Sequence, residues 1–141
     1  MLHDRDITQA CPCNSGKPFR FCCEPAIEGH KPAATAEALM RSRYTAFSLG
    51  AVDYLIDTTA PENRNPEDAE ILTEQVKCTN WIGLDILATQ QGEKGDTTGM
   101  VEFEARFEAD EQSGVLREHS NFRCDDNQWY YVDGDVEVSI K

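Results

Sequence analysis

Four of the six cysteines in this 141-residue chain lie within thirteen residues, in the pattern C-x-C-x8-C-C. They are Cys11, Cys13, Cys22 and Cys23. Thiolates at this density favour a closed tetrahedral sulfur site, and zinc is the usual metal in closed four-sulfur sites. The first half of the chain is therefore predicted to contain a zinc-binding segment with four cysteine ligands.

The residues between the two cysteine pairs also fit a metal-binding loop. Asn14, Ser15 and Gly16 can turn the chain so that backbone N–H groups point back at the sulfurs. Lys17 and Arg20 would partly offset the net double negative charge of a zinc ion bound to four thiolates.

The same cysteines allow three other interpretations. They could form disulfides, although the N-terminus lacks the apolar stretch of a signal peptide and cytosolic thiols stay reduced. The C-x-C pair could be redox-active, because thiolates of low pKa are reactive. His3 or His30 could replace one cysteine as a ligand, since the adjacent ligands Cys22 and Cys23 would strain the chelate.

The segment resembles the SEC-C zinc motif, C-x-C-x-S-G-x6-C followed by Cys or His, best known from the C-terminal tail of the bacterial protein-translocation ATPase. The four cysteines, Ser15 and Gly16 match the motif, and Asn14 stands where glycine is usual. In the ATPase this module contacts a chaperone and the ribosome. The resemblance therefore implies a protein partner related to translocation, chaperones or the ribosome.

Charge is unevenly distributed along the chain. Residues 1–50 contain six Lys or Arg and five Asp or Glu. Residues 51–141 contain seven Lys or Arg and 21 Asp or Glu. Such an acidic body repels phosphate backbones, so we expect no nucleic-acid binding by it. No apolar run approaches the roughly 20 residues of a membrane span, so we expect no membrane span. We expect the protein to be cytoplasmic.

Residues 33–77 have the apolar spacing of helices. A first helix is predicted over 33–49, with Thr35 as its cap and a glycine after its end. A short second helix is predicted over 52–58. A third is predicted to run from a cap at Asn65 to about residue 77, with Ala69, Leu72 and Val76 packed inward.

From residue 80 the apolar period changes from 3.6 to 2, which is typical of strands. The strands are predicted at 81–90, 98–108, 115–125 and 128–138. The short connections between them imply an antiparallel meander. Apolar and polar residues alternate along the second strand, which implies that one face of the sheet is exposed to solvent and the other is covered by the helices.

The predicted fold is therefore α+β. A zinc knuckle with its connector occupies residues 1–32. Helices packed on a curved antiparallel four-stranded sheet occupy residues 33–141. This order resembles the nuclear-transport-factor-2-like (NTF2-like), or cystatin-like, cone fold, in which the sheet wraps a helix and leaves a pocket.

The whole chain resembles the YchJ-like family of uncharacterised bacterial proteins. The segments that carry this resemblance are 11–23, 38–47, 81–84, 101–103, 118–122 and 129–134. Together they span nearly the full length of the chain.

A buried acid is predicted at Glu118, because it alternates onto the more apolar face of its strand with Leu116, Ser120 and Phe122. A buried carboxylate needs a partner, and Arg43 lies on the core-facing stripe of the first helix. We therefore predict an Arg43–Glu118 ion pair between that helix and the sheet.

The same groups could instead form the floor of a ligand pocket. The candidate pocket residues are Arg43, Tyr44, Trp81, Phe103, Glu118, Ser120, Phe122 and Trp129. Glu118 and His119 point to opposite faces of a strand and cannot act as a dyad, so no catalytic residue is assigned. A structural ion pair, a binding pocket and an acid–base site all remain open.

Two functions follow from these features. The favoured one is a non-enzymatic, zinc-binding accessory protein whose knuckle projects from the cone domain and contacts a protein. The alternative is a small-molecule-binding protein or enzyme that uses the pocket, with zinc only structural. Cys78 and Cys124 are predicted to be small buried apolar residues.

Overall fold

A computed structural model of the chain describes residues 9–140, which form helices followed by one antiparallel sheet. The helices are α1 (Glu24–Ile27), α2 (Ala36–Leu49), α3 (Val52–Asp57) and α4 (Asp68–Cys78), with 3-10 turns at Phe19–Phe21 and Pro61–Asn63. The strands are β1 (Asn80–Gln91), β2 (Thr98–Ala109), β3 (Gln112–Asp125) and β4 (Gln128–Ile140). The α+β prediction is confirmed. No helix within residues 9–140 is long and apolar enough to cross a membrane.

The four strands pair in chain order, β1-β2-β3-β4, each antiparallel to the next. Two-residue turns with left-handed backbone close two of the hairpins: Asp110 and Glu111 have φ of 52° and 64°, and Asp126 and Asn127 have φ of 50° and 63°. The turn at residue 110 was predicted to extend to residue 114. Because two residues suffice, β3 begins earlier than predicted.

Irregularities in strand pairing curve the sheet. The register shifts twice between β1 and β2, and once between β3 and β4 next to Phe122. Such bulges bend a strand and increase its twist. The concave face holds Val101, Phe103 and Ala105, which are buried, and α2 lies across it.

Helix α2 begins three residues later than predicted, directly after the predicted cap Thr35, and ends at Leu49 as predicted. The Thr35 hydroxyl accepts a hydrogen bond from the Ala38 N–H at 3.0 Å, and Thr35 itself is extended. Gly50, with φ of 82°, ends the helix in the left-handed conformation. The Ala36 N–H donates to the Gly92 carbonyl at 2.9 Å, which fixes the helix start against the β1–β2 turn.

Helix α4 differs from its prediction. It begins at Asp68, and Asn65 does not cap it; instead the Asp68 carboxylate accepts a hydrogen bond from the Asn65 N–H at 2.9 Å. None of its residues is fully buried, and Ala69 is exposed. Cys78, at the end of this surface helix, is exposed rather than buried, so that prediction is wrong.

Candidate metal centre and adjoining cavity

The four clustered cysteines form a compact group of sulfur atoms. Their Sγ atoms all lie within 4.8 Å of one another. The Cys13–Cys22 and Cys22–Cys23 sulfurs are 3.5 Å and 3.9 Å apart, and all six cysteines are free thiols. Four ligands about 2.3 Å from a tetrahedral zinc ion would place their sulfurs about 3.8 Å apart. The donor set therefore fits a single metal ion.

Local backbone geometry folds the segment around this group. Asn14 and Gly16 adopt left-handed angles, with φ of 64° and 87°. The Cys11 N–H donates to the Lys17 carbonyl at 3.0 Å, which closes the loop. The Asn14 side chain donates to the Leu84 carbonyl at 3.2 Å and ties the loop to β1. The chain turns at residues 14–16 as predicted, but the Asn14 N–H donates to the Cys11 carbonyl at 3.2 Å rather than to a sulfur.

Two residues of α2 that the sequence analysis did not assign to the site also contact the cysteines. Thr45 is fully buried, and its hydroxyl donates to Cys23 Sγ at 3.4 Å and lies 3.7 Å from Cys11 Sγ. Arg41 Nη1 donates to the Cys13 carbonyl at 2.8 Å and lies 4.0 Å from Cys13 Sγ. Arg41 and Thr45 are four residues apart, a spacing that places both on one side of a helix.

A cation therefore lies beside the sulfurs, and Arg41 supplies it. Lys17 and Arg20, which were predicted to offset the charge of the site, are both exposed. The Arg41 guanidinium is also held by Glu37 at 2.9 Å, one turn earlier in the helix.

The four thiols influence one another's ionisation. Hydrogen bonds from Cys11 and Cys23 hold the pKa of Cys13 far below its usual value. Burial raises the pKa of Cys22 to about 11. Hydrogen bonds to Cys11 and Cys13 raise the pKa of Cys23. The cluster on its own thus favours partial ionisation, and a divalent cation at its centre would favour four thiolates.

The cysteine segment is part of the main core. Cys11, Cys13 and Cys23 are buried and pack in the same cluster as Leu39 and Leu84. The expectation that the knuckle projects from the domain is therefore wrong. The alternative ligand His30 is exposed and outside the sulfur group, and His3 lies outside the described residues.

A separate cavity of about 500 Å³ lies between α2 and the concave face of the sheet. Six of the eight predicted pocket residues line it: Arg43, Tyr44, Trp81, Phe103, Glu118 and Ser120. The other two lie elsewhere. Phe122 packs against the Tyr131 ring, and Trp129 donates its indole N–H to the Ala34 carbonyl at 3.2 Å.

The predicted Arg43–Glu118 ion pair does not form. Arg43 Nη1 donates instead to the Leu55 carbonyl at 2.8 Å and the Thr58 hydroxyl at 2.7 Å. The guanidinium carbon lies 4.7 Å from the centre of the Tyr131 ring, a cation–π contact. Tyr131 occupies the space that a direct pair would need.

The Tyr131 hydroxyl links this arginine to the acid. It donates to Glu118 Oε2 at 2.7 Å, and the Ser120 hydroxyl donates to the same oxygen at 2.9 Å. Burial and the bond to Glu118 raise the pKa of Tyr131, which keeps the phenol protonated as a donor. Burial lowers the pKa of Arg43 to about 10, which leaves it charged at neutral pH.

Comparisons with known proteins agree with this architecture. A family model described as "YchJ, middle NTF2-like domain" matches residues 35–134. A UPF0225 protein of Geobacter sulfurreducens is 44% identical over 128 residues, which cover 91% of this chain and 80% of the relative. A UPF0225 protein of Chromobacterium violaceum is 42% identical over 134 residues, which cover 95% of this chain and 98% of the relative.

Solved structures give the same result. A SEC-C motif containing protein from Rhodopseudomonas palustris matches with a TM-score of 0.81 and 36% identity, over 89% of this chain and 96% of that one. A SEC-C motif containing protein from Psychrobacter arcticus matches with a TM-score of 0.75 and 27% identity, over 100% of this chain and 88% of that one. The chain therefore belongs to the YchJ-like UPF0225 family, in which an NTF2-like domain forms the middle of the protein.

Proposed function

We propose that this chain is a zinc-binding accessory protein that works in the cytoplasm, where thiols stay reduced. Cys11, Cys13, Cys22 and Cys23 hold one zinc ion, and the segment around it contacts a protein partner. The observation that carries the proposal is the group of four sulfurs within 4.8 Å of one another. Four protein ligands leave no open position for a substrate, so the zinc is structural.

The outer surface of the segment is the proposed contact site. The Phe21 side chain is 67% exposed, and the cationic residues Lys17 and Arg20 are exposed nearby in the sequence. A groove of about 430 Å³ runs beside Phe21, between the segment, the start of α2 and the β1–β2 turn. An exposed aromatic beside cations suits a partner that presents an apolar side chain among acidic ones.

The first test is metal content by mass spectrometry together with thiol titration of the native protein. We expect one zinc ion per chain, with Cys78 and Cys124 as the thiols that lie outside the site. A metal-free protein with four or more freely reacting thiols would remove the zinc proposal and favour a redox role.

The contact site is tested with Phe21→Ala, which removes the aromatic side chain without touching a ligand. By resemblance of the motif, the partners to try are purified ribosomes and a purified export chaperone. We expect weaker binding with zinc content unchanged. Val136→Ala is the matched control, because Val136 is 50% exposed on β4, away from the segment. Equal binding by the two variants would contradict the proposed surface.

A second function is supported by the cavity under α2. Its volume of about 500 Å³ lies within the usual range for small-molecule sites, and its lining combines aromatic walls with a few polar groups. His119 is exposed and points away from Glu118 along the strand, so binding is favoured over acid–base catalysis. Saturable binding of a small apolar probe would support this function.

A further inference from the structure

The floor of the cavity carries two charged groups with unused hydrogen-bonding capacity. Within residues 9–140, every hydrogen bond of Arg43 runs through Nη1, and every one of Glu118 through Oε2. In that part of the chain the only buried side-chain nitrogen or oxygen without a partner is Ser48 Oγ. Three other atoms, Arg43 Nε, Arg43 Nη2 and Glu118 Oε1, have no partner in that part of the chain and are therefore accessible to solvent. Both residues line the cavity.

The two charges are close but not paired. Arg43 is only 8% exposed, and its described partners are the neutral acceptors of α3 and the loop after it. Neutral hydroxyls hold Glu118. Tyr131 separates the two charges, with its ring under the guanidinium and its hydroxyl on the carboxylate. Arg43 is buried, whereas Glu118 is half-buried rather than buried as predicted. A charge held away from water without a counter-charge is unfavourable, so a ligand that supplies both counter-charges would be stabilised here.

Outside this floor the lining is mostly apolar, with Gln75 and Thr79 as its polar residues. Trp81 makes edge-on contacts with Tyr44 and Phe107, with ring centroids 6.1 Å and 5.6 Å apart. Met40 and Phe103 complete the wall around the polar floor. A ligand for this site therefore needs an apolar body with polar groups at one end.

We propose that the cavity binds a small hydrophobic α-amino acid, with its carboxylate on Arg43, its ammonium on Glu118 and its side chain against the aromatic wall. This inference rests on the second function proposed above and names its ligand class. A zwitterion matches a floor whose two charges sum to zero. A plain carboxylate would leave Glu118 unpaired, and a plain amine would face Arg43 without a counter-charge.

The test is calorimetric titration of the unmodified chain with four matched probes. Phenylalanine carries both charged groups, 3-phenylpropionate only the carboxylate, phenethylamine only the ammonium, and toluene neither. We expect phenylalanine to bind about tenfold more tightly than each single-charge probe, since each charged hydrogen bond contributes at least that factor.

Two variants assign the effect to the floor. Glu118→Gln keeps the shape of the side chain, and we expect it to weaken phenylalanine about tenfold while leaving 3-phenylpropionate no weaker. Glu108→Gln makes the same charge change at an exposed position on β2, and its affinities should match those of the unmodified chain. Equal phenylalanine binding by both variants would overturn the role of Glu118.

The failures are distinguishable. Binding of 3-phenylpropionate or toluene as tight as that of phenylalanine would overturn the zwitterion and leave the cavity as a ligand site. Binding of none of the four probes would overturn both this inference and the second proposed function. The probe series uses only the unmodified chain, so it tests the preference for a zwitterion even if a variant fails to fold.

Discussion

Thr45 shows how one hydroxyl connects the cysteine segment to the helix behind it. The residue is fully buried, and its oxygen lies within hydrogen-bonding range of two of the four sulfurs, Cys11 Sγ and Cys23 Sγ. Groups that donate to metal ligands orient them and stabilise the thiolate form. The proposed metal site would therefore depend on α2 for part of its affinity.

Replacing Thr45 with valine keeps the volume of the side chain and removes the hydroxyl. We expect zinc affinity to fall by about 10- to 100-fold, the usual effect of losing such a contact. Competition with a chromophoric chelator measures this directly. Thr73→Val is the matched control, because its hydroxyl donates to the Ala69 carbonyl on the surface of α4. Zinc binding by Thr45→Val as tight as that of the control would contradict the proposed role.

Helix α2 is the element shared by the candidate metal centre and the cavity. Arg41 and Thr45 face the sulfurs, whereas Met40, Arg43 and Tyr44 line the cavity. One helix can serve both sites because, at about 100° per residue, Arg43 lies about 160° around the helix from both Arg41 and Thr45. Any change in the position of α2 is therefore felt at both sites.

The start of α2 is fixed by the Thr35 cap, and Thr35→Ala should lower the free energy of unfolding by about 1 kcal/mol. Asn65→Ala is an informative control, because Asn65 resembles a cap in the sequence but lies outside α4. Its effect should stay within about 0.5 kcal/mol. Urea unfolding followed by circular dichroism gives both values. Equal losses in the two variants would mean that Thr35 does not act as a cap.

Across the whole molecule, the features that could be predicted from the sequence are those set by nearby residues. The cysteine cluster, α2 and the four strands follow from spacings of a few residues, and all three are confirmed. Arg41 and Thr45 were not predicted as site residues, because only the tertiary structure shows which side of α2 meets the loop.

Tyr131 was missed for a different reason. Phe122 pairs with Tyr131 whereas Asn121 pairs with Asp133, so one residue of β4 has no partner. This bulge reverses the alternation of faces along β4. Tyr131 therefore shares the inner face with Val136 and Val138, although strict alternation would separate them. A shift of this kind depends on the partner strand and leaves no signal within β4 itself.

Because the cysteine segment is buried, the proposed metal binding would be coupled to folding of the domain that α2 and the sheet form. Three of the four proposed ligands pack in the core that α2 and the sheet share. Zinc at 1,000 times its dissociation constant would add about 4 kcal/mol to the free energy of unfolding. For a chain of this size that corresponds to roughly 10 °C in Tm.

Removing zinc with a chelator should therefore lower the Tm of the sheet by roughly 10 °C, in a single transition that re-addition of zinc reverses. Far-ultraviolet circular dichroism reports the sheet, and tryptophan emission, from the buried Trp129 and from Trp81 packed against the same core, reports the tertiary structure. Cys78→Ser, outside the cluster, should respond as the unmodified chain does, whereas Cys13→Ser should already have the lower Tm. If the sheet melts at the same temperature with and without zinc, the cysteine segment is thermodynamically independent of the sheet, and the core contacts of the cysteines add little to the stability of the sheet.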